Sequence, residues 1–268
     1  MLSLEKEFNV GRSDWLKFVF IGDTHIGNIT TDENLIARCV DRIKQDPDAY
    51  WFDLGDRCDY INTKDKRFDL GSLPKWVLNS FPDIVGACNY RYADFFSPIA
   101  NKCLATVRGN HEDTILQMQE RDVYTDINRL LGIKNNLGLC GYTRLKFRRA
   151  GKVVWSLDVF LHHGAVSGKS AGSSLNFLSS ISDGFDADVY AIGHTHKKIA
   201  YSNRQYYLDS VGHVQEQERI YINTGSFMAG YAETENSGYA EKRLLYPQSM
   251  GPVELWVCPD KRDLKIFM

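Results

Sequence analysis

The sequence predicts an α/β fold built on a mostly parallel sheet. Three observations carry that reading. Short apolar runs recur along the chain, each stopped by a glycine or a polar motif. An amphipathic stretch separates the first two runs, which is the strand–helix–strand rhythm of a βαβ unit. Six of the seven histidines fall where such runs end, in Asp23-Thr24-His25, Gly109-Asn110-His111-Glu112, His162-His163-Gly164 and Gly193-His194-Thr195-His196. Open α/β sheets place their sites at the carboxyl ends of strands.

The elements follow in order. Leu16 to Ile21 is an apolar run that stops at Gly22, a buried strand delivering Asp23 and His25. A helix is predicted from about Asp32 to Lys44, with Leu35, Ile36, Cys39, Val40 and Ile43 on one face. Tyr50 to Leu54 is a second strand, ending at Gly55-Asp56-Arg57-Cys58-Asp59; Leu104 to Val107 is a third, ending at Gly109-Asn110. Residues 60–103 read as a helical insertion, with the aromatics of Phe81 to Phe96 forming its core. Arg144 to Arg149 alternates basic and apolar residues before a turn at Ala150-Gly151, the pattern of a strand with a solvated charged face. Val153 to Leu161 runs into His162, a helix is predicted near Leu175 to Ile181, and Ala187 to Ile192 runs into Gly193-His194. Ile220 to Ile222 ends at Asn223-Thr224-Gly225-Ser226. No internal repeat or proline-rich linker marks a boundary, so one large α/β domain is expected.

Composition sets outer bounds. The chain has 268 residues, 43% hydrophobic and 25% charged, the balance of an ordinary globular domain. A net charge of −2 supplies no global attraction to nucleic acid or membrane. The charged stretch Met1 to Glu7 lacks the apolar core of a signal peptide, and no run approaches the roughly 18 apolar residues of a membrane span. The six cysteines form no C-x-x-C pair, so free thiols and a cytoplasmic location are expected.

Imidazole, carboxylate and carboxamide are the donors of divalent transition metals, and the motifs hold enough of them for two ions. In a D-x-H or H-x-H pair on an extended strand end, both side chains point to one side. Neighbouring glycines let the backbone turn sharply. Gly164 to Ser170 looks like a phosphate-binding loop but is one residue short of that motif, so a flexible Gly/Ser loop from Gly164 to Ser174 is expected beside the substrate, in which Lys169 could touch a phosphate.

In the order D-x-H, G-D-x-x-D, G-N-H-E, H-x-G, G-H-x-H, the motifs from Asp23 to His196 resemble the calcineurin-like metallophosphoesterases. Asn223-Thr224-Gly225-Ser226 resembles the turn that often follows in that family. The resemblance implies a four-layer αββα sandwich, two mixed β-sheets flanked by helices, with a dinuclear centre at one edge. It implies that Asp23, His25 and His196 hold one ion, that Asp56 bridges, and that Asn110, His194 and one histidine of the His162–His163 pair hold the other. The family's H-x-G pattern favours His162. His111 would serve the leaving group, oriented by Asp59, which would raise its pKa. The implied activity is phosphodiester or phosphomonoester hydrolysis by a metal-bridging hydroxide, with Mn²⁺ the leading ion and Fe, Zn²⁺, Co²⁺ or Ni²⁺ as alternatives. The substrate class spans small phosphoesters, nucleotides and nucleic acid. Tyr60-Ile61 after Asp59 departs from the R-G of the protein phosphatases, although Arg108 before Gly109 echoes them. A nuclease is the alternative activity; a non-catalytic protein-binding scaffold is the alternative class, though such members tend to lose ligands that this chain keeps.

Overall fold

The computed structural model describes residues 1–61, 68, 70–165, 168, 170–231 and 246–268. In chain order the strands are β1 (Leu2–Asn9), β2 (Leu16–Ile21), β3 (Ala49–Asp53), β4 (Cys103–Thr106), β5 (Cys140–Arg149), β6 (Lys152–His162), β7 (Val189–Ile192), β8 (Ile199–Leu208), β9 (Val214–Asn223), β10 (Val253–Cys258) and β11 (Asp263–Phe267). The helices are α1 (Glu33–Gln45), α2 (Lys75–Leu78), α3 (Ile84–Phe96), α4 (Asn110–Gln119), α5 (Val123–Leu130) and α6 (Ala171–Gly184).

Two mixed sheets form, in the orders β1-β5-β6-β7-β9-β8 and β11-β10-β2-β3-β4. Side-chain alternation explains why they stack. Phe18 and Phe20 of β2, with Phe52 and Leu104, face Phe147, Leu157, Val159, Leu161, Val189 and Ile222 of the other sheet. The intervening Val19, Ile21 and Trp51 turn outward and are covered by Ile36, Val40 and Ile43 of α1 and by Tyr92 and Phe96 of α3. On the far side Leu178 and Ile181 of α6 cover Phe160, Tyr190 and Tyr221. A strand buried on both faces has no polar side, which is why these runs read as continuously apolar. The result is a four-layer αββα sandwich.

The six strands that carry the motifs run parallel in two sets of three, β2-β3-β4 and β6-β7-β9. Their carboxyl ends therefore meet along one rim. Four strands lie outside the expected set: β1, β8, β10 and β11. β1 hides behind charges on its exposed face, and β10 and β11 lie beyond the last motif. The short strand expected at Ile220 to Ile222 is the end of the longer β9, paired antiparallel with β8. Because β7 meets β9 only from Ile220 onward, the rest of this hairpin continues as a two-stranded ribbon away from the rim. Tyr206, Leu208, Val211 and Val214 are exposed near its turn.

Residues 60–103 do contain helices, α2 and α3, and Tyr92 and Phe96 are buried while Tyr90 is exposed. The basic face of β5 is matched by acids: Arg144 bonds Asp158 at 2.7 Å, Lys146 reaches Glu5 at 2.7 Å and Arg148 reaches Glu7 at 3.0 Å. Lys169, considered above as a phosphate contact, lies outside the described residues. The six cysteines carry free thiols.

Candidate metal centre

The rim is made of tight loops. Asp23, His25, Asp56, His194 and His196 all have positive φ, between 44° and 68°. This corrects the expectation that strand alternation aims the D-x-H and H-x-H pairs. β2 ends at Ile21 and β7 at Ile192, so the ligands sit past the strands, in left-handed turns. Such backbone costs non-glycine residues on the order of 1–3 kcal/mol each and persists only when its surroundings dictate it. Here they do. His194 N–H donates to Asp23 Oδ2 at 2.9 Å, Phe227 N–H donates to the Asp23 carbonyl at 3.1 Å, and Gly193 N–H donates to the His163 carbonyl at 2.8 Å. A Cβ on Gly193 would strike the Asp23 carboxylate and one on Gly109 would strike that of Asp56, so both positions need glycine.

Two donor groups emerge. In the first, His25 Nε2 lies 3.0 Å from His196 Nε2, and His196 Nε2 lies 3.3 Å from Asp23 Oδ1. In the second, His163 Nε2 is 3.1 Å from Asp56 Oδ2 and 3.0 Å from Asn110 Oδ1, and His194 Nδ1 is 2.7 Å from Asn110 Oδ1. Asp56 Oδ2 also stands 3.9 Å from His25 Nε2, between the groups. A third set, His25, Asp56 and His111, overlaps both.

His163, not His162, enters the cluster. The favoured His162 is corrected by the phase of β6: Leu157, Val159 and Leu161 face the inter-sheet core, and His163 continues that series. His162 follows Phe160 on the α6 side, half-buried, and its Nδ1 accepts from Gly164 N–H at 2.8 Å. His163 Nδ1 donates to the Leu54 carbonyl at 2.6 Å, which turns Nε2 toward Asp56 and Asn110.

The Asp59–His111 pairing also differs from expectation. His111 Nδ1 donates to the backbone carbonyl of Asp59 at 2.5 Å, while the carboxylate is 3.7 Å away. That carboxylate accepts from Asn28 Nδ2 at 3.0 Å and lies 3.5 Å from His25 Nδ1. Burial is the largest influence on His111 and holds its pKa below the ordinary imidazole value, opposite to the raised value expected from Asp59.

Glu112, the last residue of the Gly109-Asn110-His111-Glu112 motif, organises the rim. It is 1% exposed and accepts three backbone N–H groups: Asp56 at 3.1 Å, Arg57 at 2.9 Å and Gly109 at 2.9 Å. Its position three residues after the Gly109 N-cap is the spacing of a capping box, the signal that could have found it. Glu112→Gln replaces one acceptor oxygen with an amide that faces N–H donors. Each buried N–H left without an acceptor costs about 1–3 kcal/mol. The variant is expected to lose roughly 2–4 kcal/mol in a denaturant titration, with Tm falling by about 5–15 °C. An unchanged Tm would mean that the three contacts hold nothing together.

The electrostatics draw cations in. Burial, the largest influence on His25, opposes a charge on the ring. The carboxylates of Asp23, Asp59 and Asp56, 3.5 to 3.9 Å from its ring nitrogens, outweigh it and raise the pKa to about 10. His163 is likewise lifted to about 10, against burial, by the charge of Asp56 and its hydrogen bond. A divalent ion with bonds near 2.1 Å keeps adjacent donors about 3 Å apart, which is the spacing found in both groups. Two imidazole nitrogens 3.0 Å apart are held either by an N–H···N hydrogen bond or by a cation shared between them. The residues therefore fit divalent metals, and the donor set of nitrogen and oxygen leaves the choice of ion open.

Fold and site together define a class, an αββα sandwich with His/Asp donor groups where the ends of its two sheets meet. The chain belongs to the calcineurin-like phosphoesterase family, which it matches over residues 16–198. No curated protein matches it. Among solved structures it is similar to Vps29 from Entamoeba histolytica complexed with zinc, at 12% identity and TM-score 0.40, over 94% of this chain and 97% of that one. It is similar to the NAD nucleotidase of Haemophilus influenzae at 10% identity and TM-score 0.41, over 96% of this chain and 50% of that one. The calcineurin-like phosphoesterase YfkN of Bacillus subtilis is 13% identical with TM-score 0.32, over 70% and 63% of the two chains. Among the described residues no helix is long and apolar enough to cross a membrane.

Proposed function

We propose that this protein hydrolyses phosphoesters with two divalent ions, Asp23, His25 and His196 holding one, and Asn110, His163 and His194 the other. The observation that carries the reading is Asp56, whose Oδ2 stands 3.1 Å from His163 Nε2 and 3.9 Å from His25 Nε2, placing one carboxylate oxygen within reach of both groups. Bound there, the ions would supply Lewis acidity and water activated near neutral pH, with Mn²⁺ leading among the ions this donor set accepts.

The chain's own residues do the rest. His111 stacks edge-on to His25 at 4.7 Å and is fixed through Nδ1 by the Asp59 carbonyl. A carbonyl only accepts, so Nδ1 carries hydrogen and Nε2 is the atom that can exchange a proton with a departing oxygen. The Asp59 carboxylate accepts from Asn28 and lies 3.5 Å from His25 Nδ1 rather than bonding the His111 ring. Arg108 does not serve as a phosphate clamp: its guanidinium faces Asp113 at 3.4 Å and Asp122 at 3.2 Å and lies over the Tyr124 ring. That weakens a protein-phosphatase pattern; the first reading is a phosphodiesterase or phosphatase, with a nuclease as the second.

The test compares bis-p-nitrophenyl phosphate with p-nitrophenyl phosphate in Mn²⁺. Faster diester cleavage would assign a phosphodiesterase or nuclease and make single-stranded DNA the next substrate. Faster monoester cleavage assigns a phosphatase. No turnover of either by a metal-loaded protein would favour the scaffold reading.

A further inference from the structure

Arg57 is 1% exposed, and its guanidinium is committed in several directions. Nε donates to Asp53 Oδ2 at 2.6 Å, Nη1 to the Tyr124 carbonyl at 3.2 Å and Nη2 to Asn128 Oδ1 at 2.9 Å. Its Cζ lies over the rings of Tyr92 and Tyr124, at 5.7 and 4.9 Å from their centroids. Asp53 answers it: Oδ2 also accepts from Tyr92 Oη at 3.1 Å, and Oδ1 accepts from Gly55 N–H at 2.9 Å. The peptide Gly55-Asp56-Arg57 is thus gripped at its start by Asp53, at its end by the Arg57 fork and along its N–H groups by Glu112. Asp56 sits inside that grip at φ 51°, a conformation that needs outside support.

We propose that Arg57 is a positioning residue that makes helices α3 and α5 part of the metal centre, by fixing the backbone of Asp56 through Asp53, Tyr92, Tyr124 and Asn128. The inference rests on the two-ion reading above. Buried ion pairs seldom add net stability over an apolar replacement, so stability alone does not account for a buried arginine with this many partners. Lysine would not replace it, because a single ammonium cannot face Asp53, Asn128 and the Tyr124 carbonyl at once. Partners that orient metal ligands typically influence metal affinity or activity by about 10–100-fold.

The experiment uses Arg57→Lys and the milder Asn128→Ser, which removes one acceptor of the fork and leaves the arginine. Apoprotein of each is titrated with Mn²⁺ by calorimetry, and its unfolding is followed in EDTA. Both variants are expected to bind Mn²⁺ about 10–100-fold more weakly than wild type, with kcat reduced and KM near the wild-type value. Should Arg57→Lys fail to fold, Asn128→Ser decides. A fall in apoprotein Tm with Mn²⁺ affinity unchanged would assign a structural role alone and overturn the proposal. Wild-type protein that takes up two ions beside variants that bind as tightly overturns this inference only. Wild-type protein that takes up none overturns both it and the two-ion function.

Discussion

Replacing Asp56 by asparagine is expected to lower phosphoester turnover by at least about 10³-fold, beyond the ~10–100-fold usual for an outer partner of a metal ligand. The size follows from position. Asp56 belongs to the group of His163 and His194, and its Oδ2 stands 3.9 Å from His25 Nε2 of the other, so in the two-ion reading losing its charge would weaken both sites at once. Burial by itself would favour the neutral acid, but the surrounding imidazoles, led by His163, hold Asp56 ionised far below the ordinary carboxylate range. Asparagine is the informative replacement because it preserves the frame. It tolerates left-handed backbone, and its amide oxygen can still accept from His111 N–H, now 2.9 Å from Asp56 Oδ1. The measurement is bis-p-nitrophenyl phosphate turnover in Mn²⁺, with bound metal per chain and circular dichroism on the same samples. A native-like spectrum with fewer ions bound and turnover lost is the expected set. Wild-type rates in Asp56→Asn would sink the shared-carboxylate arrangement.

Much of the layered fold was legible because its central strands are buried on both faces. Phe18, Phe20, Phe52 and Leu161 each lie within 2% of full burial, and runs of such residues cannot be mistaken for surface. Two of the strands that escaped notice have a solvated face: β1 exposes Glu5 and Glu7, and β8 is exposed along most of its length, while β10 is buried but ends at no motif. The candidate ligands were legible as residue types, since histidine next to glycine at a strand end has little packing purpose. Their aim was not. Left-handed φ at Asp23, His25, Asp56, His194 and His196 is imposed by contacts between motifs far apart in sequence, such as His194 N–H on Asp23, and no local pattern announces it. The same holds for Arg57. In sequence it is a charged residue beside a metal motif; only the packing of α3 and α5 reveals that it is buried among Tyr92, Tyr124 and Asn128.

The histidine pair at the end of β6 separates what a motif says from what a strand says. His163→Ala is expected to reduce turnover by more than about 10²-fold and to lower the number of ions bound, since a direct donor should exceed the effect of an outer partner. His162→Ala is expected to leave both within about twofold. The basis is register rather than resemblance. Polar Ser156 and Asp158 alternate with Leu157, Val159 and Leu161 along β6, and a period of two carries the inward face onto His163. Removing His162 takes away one acceptor for Gly164 N–H, worth about 0.5–1.5 kcal/mol, so its effect belongs in the local stability at Gly164 and not in metal content. Metal analysis of the two purified variants, beside turnover and thermal unfolding, distinguishes them. If His162→Ala lost the metal and His163→Ala kept it, the strand's phase would have been overruled at its last residue. His163 would then be a buried histidine bound to the Leu54 carbonyl, and the second donor group would have to be rebuilt around His162.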